Sequence, residues 1–432
     1  MELYLTGGHV VDSKNGIDET LDIRIKDGVI AELGKALPVS ENAETINCSG
    51  LTIIPGICDM HVHLRDPGQT HKEDICTACE AAAAGGVTAV ACMPNTTPVI
   101  DTPETVSYIL EKAKTAKAKV YPVGAITKGL AGDELTDFAA LKEAGCVAVS
   151  DDGKPVRNAI TMKRAIKKAA LERLAIISHC EDPDVIDGGI INNGAVSEAM
   201  GVKGMSRSSE NYVTGREIFL AGEQRLPVHI AHVSTKEAVN FIRLAKSKGS
   251  KVTCETAPHY FTLTEDKLFS RDADYRMNPP LREQADVEAV TEGICDGTID
   301  CIITDHAPHA ADEKADFLTA PNGVVGLETS LAVTVTMLLN PGKITHVQLV
   351  DLMCVKPRKI LGIDGGTLSI GAPADIAIFS ETEQWTVDPE SLHSKSKNTC
   401  FKGMTLTGKV KYTILNGKIV YKDEETEEHD VT

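Results

Sequence analysis

Eight short apolar runs, each followed by a stretch of helical character, fill the middle of this 432-residue chain and leave few architectures open. The runs are ICDMHVHL, VTAVACMP, AKVYPVGAI, CVAVSDD, AIISHCED, PVHIAHVS, KVTCETAPH and CIITDHAPH, and between them lie segments such as TMKRAIKKAALERL and STKEAVNFIRLAKSKG. Apolar runs of this length bounded by helical periodicity read as buried strands returned by helices. Eight such units predict an α/β fold, a closed (β/α)8 TIM-like barrel, whose chemistry sits at the carboxyl ends of the strands.

Polar residues gather at those ends. His61 and His63 close the first run, Asp151 and Asp152 the fourth, His179 the fifth, His232 the sixth and Asp305 the eighth. Residues i and i+2 of a strand point to one side, so His61 and His63 can hold one ion together. A histidine on an apolar strand serves equally well as a hydrogen-bonded core residue, and the pair alone decides little. Gathering at one rim is what predicts a site. Four histidines and two aspartates exceed the ligands of one zinc ion, so two divalent ions sharing a bridging carboxylate and a bridging hydroxide form the simplest arrangement. Imidazole and carboxylate without thiolate suit zinc. Such a centre makes a nucleophile at neutral pH and polarises a carbonyl, which predicts hydrolysis of an amide or ester.

The two ends of the chain have a different texture. Residues 1–54 carry short alternating strands with turn signals, as in YLTGGHVVD, and the texture returns from 366 in GTLSIGAPADIAIFS and VKYTILNGKIVYKD. One discontinuous β-sandwich domain, 1–54 with 366–432, is expected beside a catalytic barrel over 55–365, and the final DEETEEHDVT reads as a frayed acidic tail. With 44 basic against 62 acidic residues the net charge is −18, which argues against nucleic acid and anionic membranes as partners. Cysteines such as Cys92, Cys180, Cys254 and Cys301 lie inside apolar runs, where thiols act as small hydrophobes, and this usage fits a reducing cytoplasm. The CxxC at Cys76 and Cys79 lies in a helix-like stretch without a second pair and reads as structural. No basic segment followed by a long apolar one opens the chain, and the longest nearly apolar run, near 331–339, is short of the ~20 residues that span a bilayer. Neither secretion by a signal peptide nor membrane insertion is expected.

Seven motifs narrow the reading: DMHVHLRDPG at 59–68, MPNT at 93–96, SDDG at 150–153, SHCED at 178–182, IAHVS at 230–234, NPPLR at 278–282 and TDHAPHAADEK at 304–314. Together they resemble the bacterial-type dihydroorotases of the amidohydrolase superfamily, over nearly the whole chain. The resemblance implies that His61 and His63 bind one zinc, that His179 and His232 bind a second, that Asp152 bridges the two, and that Asp305 binds the first and shuttles protons. In this subgroup an aspartate replaces the carboxylated lysine of dihydropyrimidinases and allantoinases, and the fourth run has no lysine within it. Asp151 and Asp152 face opposite ways on an extended strand, and the family spacing to His179 selects Asp152. Lys154, just beyond the strand end, is placed for carboxylation but reads rather as a solvated loop lysine.

For the substrate, the resemblance implies that Arg65 takes the carboxylate of dihydroorotate with help from Asn95 and His309, that Asn278 also contacts the ligand, and that backbone groups near Asn322 and Gly323 meet the ring. A guanidinium can clamp a carboxylate through two hydrogen bonds. Taken alone, Arg65 equally suits a structural ion pair, Asn95 a turn in PNTTP, and PNG a β-turn. His259 is expected to support or pack, and His71 and His306 are assigned no role. The segment AADEKADFLTAPNGVVGLE after His309 reads as a long active-site lid.

The implied activity is reversible cyclisation of N-carbamoyl-L-aspartate to L-dihydroorotate and water in pyrimidine synthesis, with a metal-bridging hydroxide as nucleophile and Asp305 as general base and acid. A cytoplasmic homodimer is expected, and association with aspartate carbamoyltransferase is compatible with the sequence. Two other readings stand beside it. One is a cyclic amidase for dihydropyrimidines, hydantoins or allantoin, whose substrates lack a carboxylate for Arg65. The other is an inactive scaffold for the transcarbamoylase, which the presence of all six ligand residues disfavours.

Overall fold

The computed structural model describes residues 2–40 and 43–424; the acidic segment 425–432 lies outside the described residues. From the N-terminus come β1 (Glu2–Asp12), β2 (Ile17–Lys26), β3 (Val29–Gly34), β4 (Glu44–Asn47) and β5 (Thr52–Pro55). Alternation sets their faces: β2 buries Leu21, Ile23 and Ile25 while Asp22 and Arg24 between them reach toward solvent.

The barrel strands follow: β6 (Ile57–Val62), β7 (Val87–Cys92), β8 (Lys119–Ala125), β9 (Ala148–Ser150) and β10 (Ala175–Ser178). A two-stranded ribbon, β11 (Ile191–Asn192) with β12 (Gly204–Met205), interrupts the series before β13 (Val228–Ile230), β14 (Val252–Thr256) and β15 (Cys301–Ile302) complete it. The eight barrel strands hydrogen-bond in chain order, all parallel, and each falls in one of the eight apolar runs. Closure uses His306, which the sequence reading left without a role. It forms a parallel bridge with Val62 and another with Val324, and its carbonyl accepts the His63 N–H at 2.8 Å.

The last strands, β16 (Ile376–Thr386), β17 (Thr405–Leu415) and β18 (Lys418–Lys422), return to the first sheet, where β16 pairs antiparallel with β5. The order β18-β17-β16-β5-β1-β2-β3, with β4 on β1, joins both ends of the chain around an apolar core that includes Leu5, Ile23, Ile53, Ile376 and Ile414. The molecule is thus a (β/α)8 barrel with a smaller β-sandwich.

Helices cover the barrel through one apolar face each. Lys236–Ser247 buries Ala238, Val239, Ile242 and Ala245, and Thr235 caps it by accepting the Ala238 N–H. Burying Ile242 contributes ~1.5–3 kcal/mol, so an Ile242→Asp change would detach this helix. Buried Arg358 ties the helical segment after the barrel to its base, donating to Gly56 O at 2.8 Å and Thr88 Oγ1 at 3.1 Å. No helix among the described residues is long and apolar enough to cross a membrane.

Candidate active site

The strand ladders stop just short of the rim. His61 lies within β6, whereas His63, Asp152, His179, His232 and Asp305 follow the ends of their strands by one to three residues. Leaving the ladder lets the backbone turn: Arg65, His232 and Asp305 have φ of 58°, 29° and 49°. Left-handed backbone at non-glycine residues costs about 1–3 kcal/mol each and concentrates where geometry serves a site. Gly68 in HLRDPG is needed for a different reason. A Cβ there would lie 1.8 Å from Thr97 O, so only glycine lets this loop pack on the PNTTP turn.

All six predicted ligand residues come together. Asp152 Oδ1 lies 3.3 Å from His61 Nε2, 3.2 Å from His179 Nδ1 and 3.6 Å from His232 Nε2, and Asp152 Oδ2 is 3.4 Å from His63 Nε2. Asp305 Oδ1 lies 3.2 Å from His63 Nε2 and 3.6 Å from His61 Nε2. Burial alone would raise the Asp152 carboxyl, but the surrounding histidines hold it well below the ordinary range. Asp151 turns away: its carboxylate accepts from the Thr127 N–H at 3.0 Å and from the Thr127 hydroxyl. Lys154 is exposed.

Oxygen acceptors behind the histidines fix which nitrogen faces inward. Glu255 Oε1 accepts from His61 Nδ1 at 2.6 Å, and Asn95 Oδ1 accepts from His63 Nδ1 at 2.8 Å. Glu181 Oε2 lies 3.4 Å from His179 Nε2. Each contact places a proton on the outer nitrogen and turns the inner one toward the cluster, the orientation that metal-binding histidines need. His179 Nδ1 and His232 Nε2 lie 2.8 Å apart, a hydrogen bond in which one of the two nitrogens carries the proton. His61 Nε2 and Asp152 Oδ1 are buried without a hydrogen-bond partner among the described residues. His61, His63 and Asp305, and separately His61, Asp152 and His232, each offer donor atoms within 4.8 Å of one another. This donor set fits divalent metal.

Two of those supporting groups escaped the sequence reading. Glu255 is fully buried on β14 and also accepts from His229 Nε2 at 3.1 Å; burial would raise its carboxyl, but His61 and His229 prevail and hold it at about 2. A carboxylate inside the apolar run KVTCETAPH was the available signal. Glu181 accepts from Asn278 Nδ2 as well, linking that predicted substrate contact to His179. Burial pushes His259 down to about 4, so it is neutral at pH 7, and its Nε2 has no partner among the described residues.

Next to the histidines lies the predicted carboxylate clamp. Arg65 is buried; its Nε donates to Pro308 O at 3.1 Å and one terminal nitrogen lies 3.3 Å from His309 Nε2. Lys72 Nζ donates to His309 Nδ1 at 3.2 Å, so His309 Nε2 carries the proton and donates to Asn322 O at 3.0 Å. Burial and the neighbouring cations Arg65, Lys72 and Lys314 push His309 down to about 3, leaving it neutral. The side-chain oxygens of Asn278 and Asn322 are buried and unpartnered among the described residues, whereas the Gly323 N–H is already engaged by Arg276 O at 3.0 Å. The segment after His309 is irregular and anchored: buried Lys314 donates to the carbonyls of Arg276, Pro321 and Gly323 at 3.2, 3.0 and 3.0 Å.

The chain is 51% identical over 424 residues to the dihydroorotase of Citrifermentans bemidjiense, covering 98% of this chain and 100% of that protein. It is 49% identical to the dihydroorotase of Acetivibrio thermocellus, covering 98% and 99%. A family profile described as dihydro-orotase-like matches residues 50–238, and one described as amidohydrolase family matches 328–421. Among solved structures, the L-hydantoinase (dihydropyrimidinase) of Arthrobacter aurescens superposes with a TM-score of 0.87 at 27% identity, covering 97% of this chain and 96% of that one.

Proposed function

Because the chain belongs to the dihydroorotase family of the amidohydrolase superfamily, and so to the metal-dependent cyclic amide hydrolases, we propose that it interconverts L-dihydroorotate and N-carbamoyl-L-aspartate with zinc, two ions per subunit. The observation that carries this substrate is buried Arg65, close enough to Asp305 and Asp152 to feel their charge. A buried guanidinium held on one edge by Pro308 O calls for an anion, and dihydroorotate brings a carboxylate. Dihydropyrimidines, hydantoins and allantoin bring none, and a site built for a charged partner rejects ligands that lack it.

In this reading His61, His63, Asp152, His179, His232 and Asp305 hold the metal. Divalent ions there supply Lewis acidity, which polarises the ring carbonyl and acidifies water. Arg65 fixes the substrate carboxylate, with neutral His309 and the side chains of Asn95 and Asn278 at the rim and the Asn322–Gly323 backbone against the ring. Asp305 presents Oδ1 to His61 and His63, which leaves Oδ2 to take the proton of the attacking water and return it to the departing ring nitrogen as the amide C–N bond breaks. Ring closure is the reverse and consumes one proton together with the second carboxylate, so mild acid favours it. We assign this chemistry to a catalytic unit over 55–365, with 1–54 and 366–432 forming the other domain, in a cytoplasmic homodimer.

Turnover of L-dihydroorotate, followed by ultraviolet absorbance and compared with dihydrouracil, hydantoin and allantoin, tests the assignment. Preference for dihydroorotate is expected. Activity confined to the uncharged rings would overturn it.

A further inference from the structure

We propose a second metal site, away from the barrel mouth, formed by His9, His346 and Glu381 and selective for a divalent transition ion such as Zn2+. His9 lies on β1 and Glu381 on β16, both in the β-sandwich, while His346 opens the short helix His346–Val350 that follows the barrel. One donor atom from each residue lies within 4.8 Å of the other two. Glu381 Oε1 is 2.8 Å from His346 Nε2, whose proton it accepts and which an incoming ion would displace, and 4.0 Å from His9 Nδ1; the imidazoles meet edge to face at 82° with centroids 4.9 Å apart.

Asp18 makes this more than a surface ion pair. Its Oδ1 lies 2.7 Å from His9 Nε2, and an ionised carboxylate can only accept, so Nε2 carries the proton. With Nε2 so engaged, Nδ1 is the nitrogen that faces Glu381, the same carboxylate-behind-histidine arrangement found at His61 in the barrel. The Thr52 hydroxyl donates to Glu381 and fixes the third ligand. The side chains of His9, His346 and Glu381 retain 32%, 30% and 24% exposure, enough for an ion to enter from solvent and keep water in its remaining positions. Two imidazoles and one carboxylate select zinc or a neighbouring transition ion over Mg2+ or Ca2+, which prefer all-oxygen shells. Because the ligands come from the sandwich and from the helical segment after the barrel, a bound ion would pin one to the other and stabilise the folded chain by mass action.

The experiment is equilibrium dialysis of the chelator-treated full chain against ZnCl2, with ions per chain counted by mass spectrometry for wild type, His346→Ala and Glu381→Gln. Wild type is expected to bind one more ion per chain than either variant, and its Tm to rise further with zinc than theirs. Zinc-loaded variants should turn over L-dihydroorotate as wild type does. Counting a difference keeps the result independent of how many ions the barrel holds, and Glu381→Gln answers if His346→Ala folds poorly by circular dichroism. Equal counts in wild type and a folded variant would overturn the proposal and reduce the cluster to an ion pair.

Discussion

Replacing Glu255 by glutamine should weaken metal binding at the barrel mouth while leaving every residue assigned to the metal or substrate in place. The carboxylate is fully buried, and its two oxygens are divided between His61 Nδ1 at 2.6 Å and His229 Nε2 at 3.1 Å. A hydrogen bond to a charged group contributes ~1.5–3 kcal/mol net, and glutamine keeps one oxygen acceptor but replaces the other with an N–H donor. His229 can meet that donor only by changing its tautomer, which its contact with Thr253 Oγ1 at 2.8 Å permits, since a hydroxyl both donates and accepts. The loss that remains is the charge on the His61 bond, about 1.4–2.7 kcal/mol, or ~10- to 100-fold in metal affinity, the range typical of carboxylates behind metal-binding histidines. Competition against a chromophoric chelator measures this directly, with urea unfolding of the metal-free protein as control. Metal affinity within about twofold of wild type in folded Glu255→Gln would refute the idea that Glu255 prepares His61.

Other consequences follow from the same geometry. Arg65→Gln should lower kcat/KM for dihydroorotate by ~10- to 150-fold, the equivalent of one charge-assisted contact of ~1.5–3 kcal/mol, while leaving any residual turnover of dihydrouracil nearly unchanged; steady-state kinetics on both substrates checks it. Lys314→Met strips the donor from three carbonyls and should cost ~1–3 kcal/mol, with faster hydrogen exchange confined to residues 309–326. His309 has a depressed folded-state pKa, so its contribution to stability is present above the ordinary 6.5 and is lost as pH falls toward about 3. Between about pH 7.5 and about pH 5, metal-free wild type should therefore lose ~2 kcal/mol more than His309→Gln in urea titrations.

Much of this architecture was readable because buried parallel strands and the residues at their ends leave plain marks in a sequence. Each apolar run became a barrel strand, and the aspartates and histidines that ended the first, fourth, fifth, sixth and eighth of them gathered at the rim, apart from Asp151, which turns away. What stayed hidden depended on tertiary partners. Nothing local distinguishes Glu181 in SHCED from an ordinary loop carboxylate until His179 and Asn278 close on it. Asn95 looked like a turn residue with a role at the substrate, yet its side-chain oxygen receives His63 Nδ1. His306 resembled a loop histidine because the last barrel strand is only two residues long, and closure passes to single bridges that carry no periodicity. The ribbon of β11 and β12 has two-residue strands, which leave no alternation to detect.

The most direct test of the account follows L-dihydroorotate and N-carbamoyl-L-aspartate by ultraviolet absorbance with zinc-loaded wild type and Asp305→Asn, alongside a count of bound metal. Wild type should run both directions, closure faster in mild acid, and Asp305→Asn should lose at least ~100-fold in turnover, the scale of one lost proton-transfer group, even if fully metal-loaded. Undiminished turnover in the variant would contradict the role given to Asp305, and no turnover by metal-loaded wild type in either direction would contradict the account as a whole.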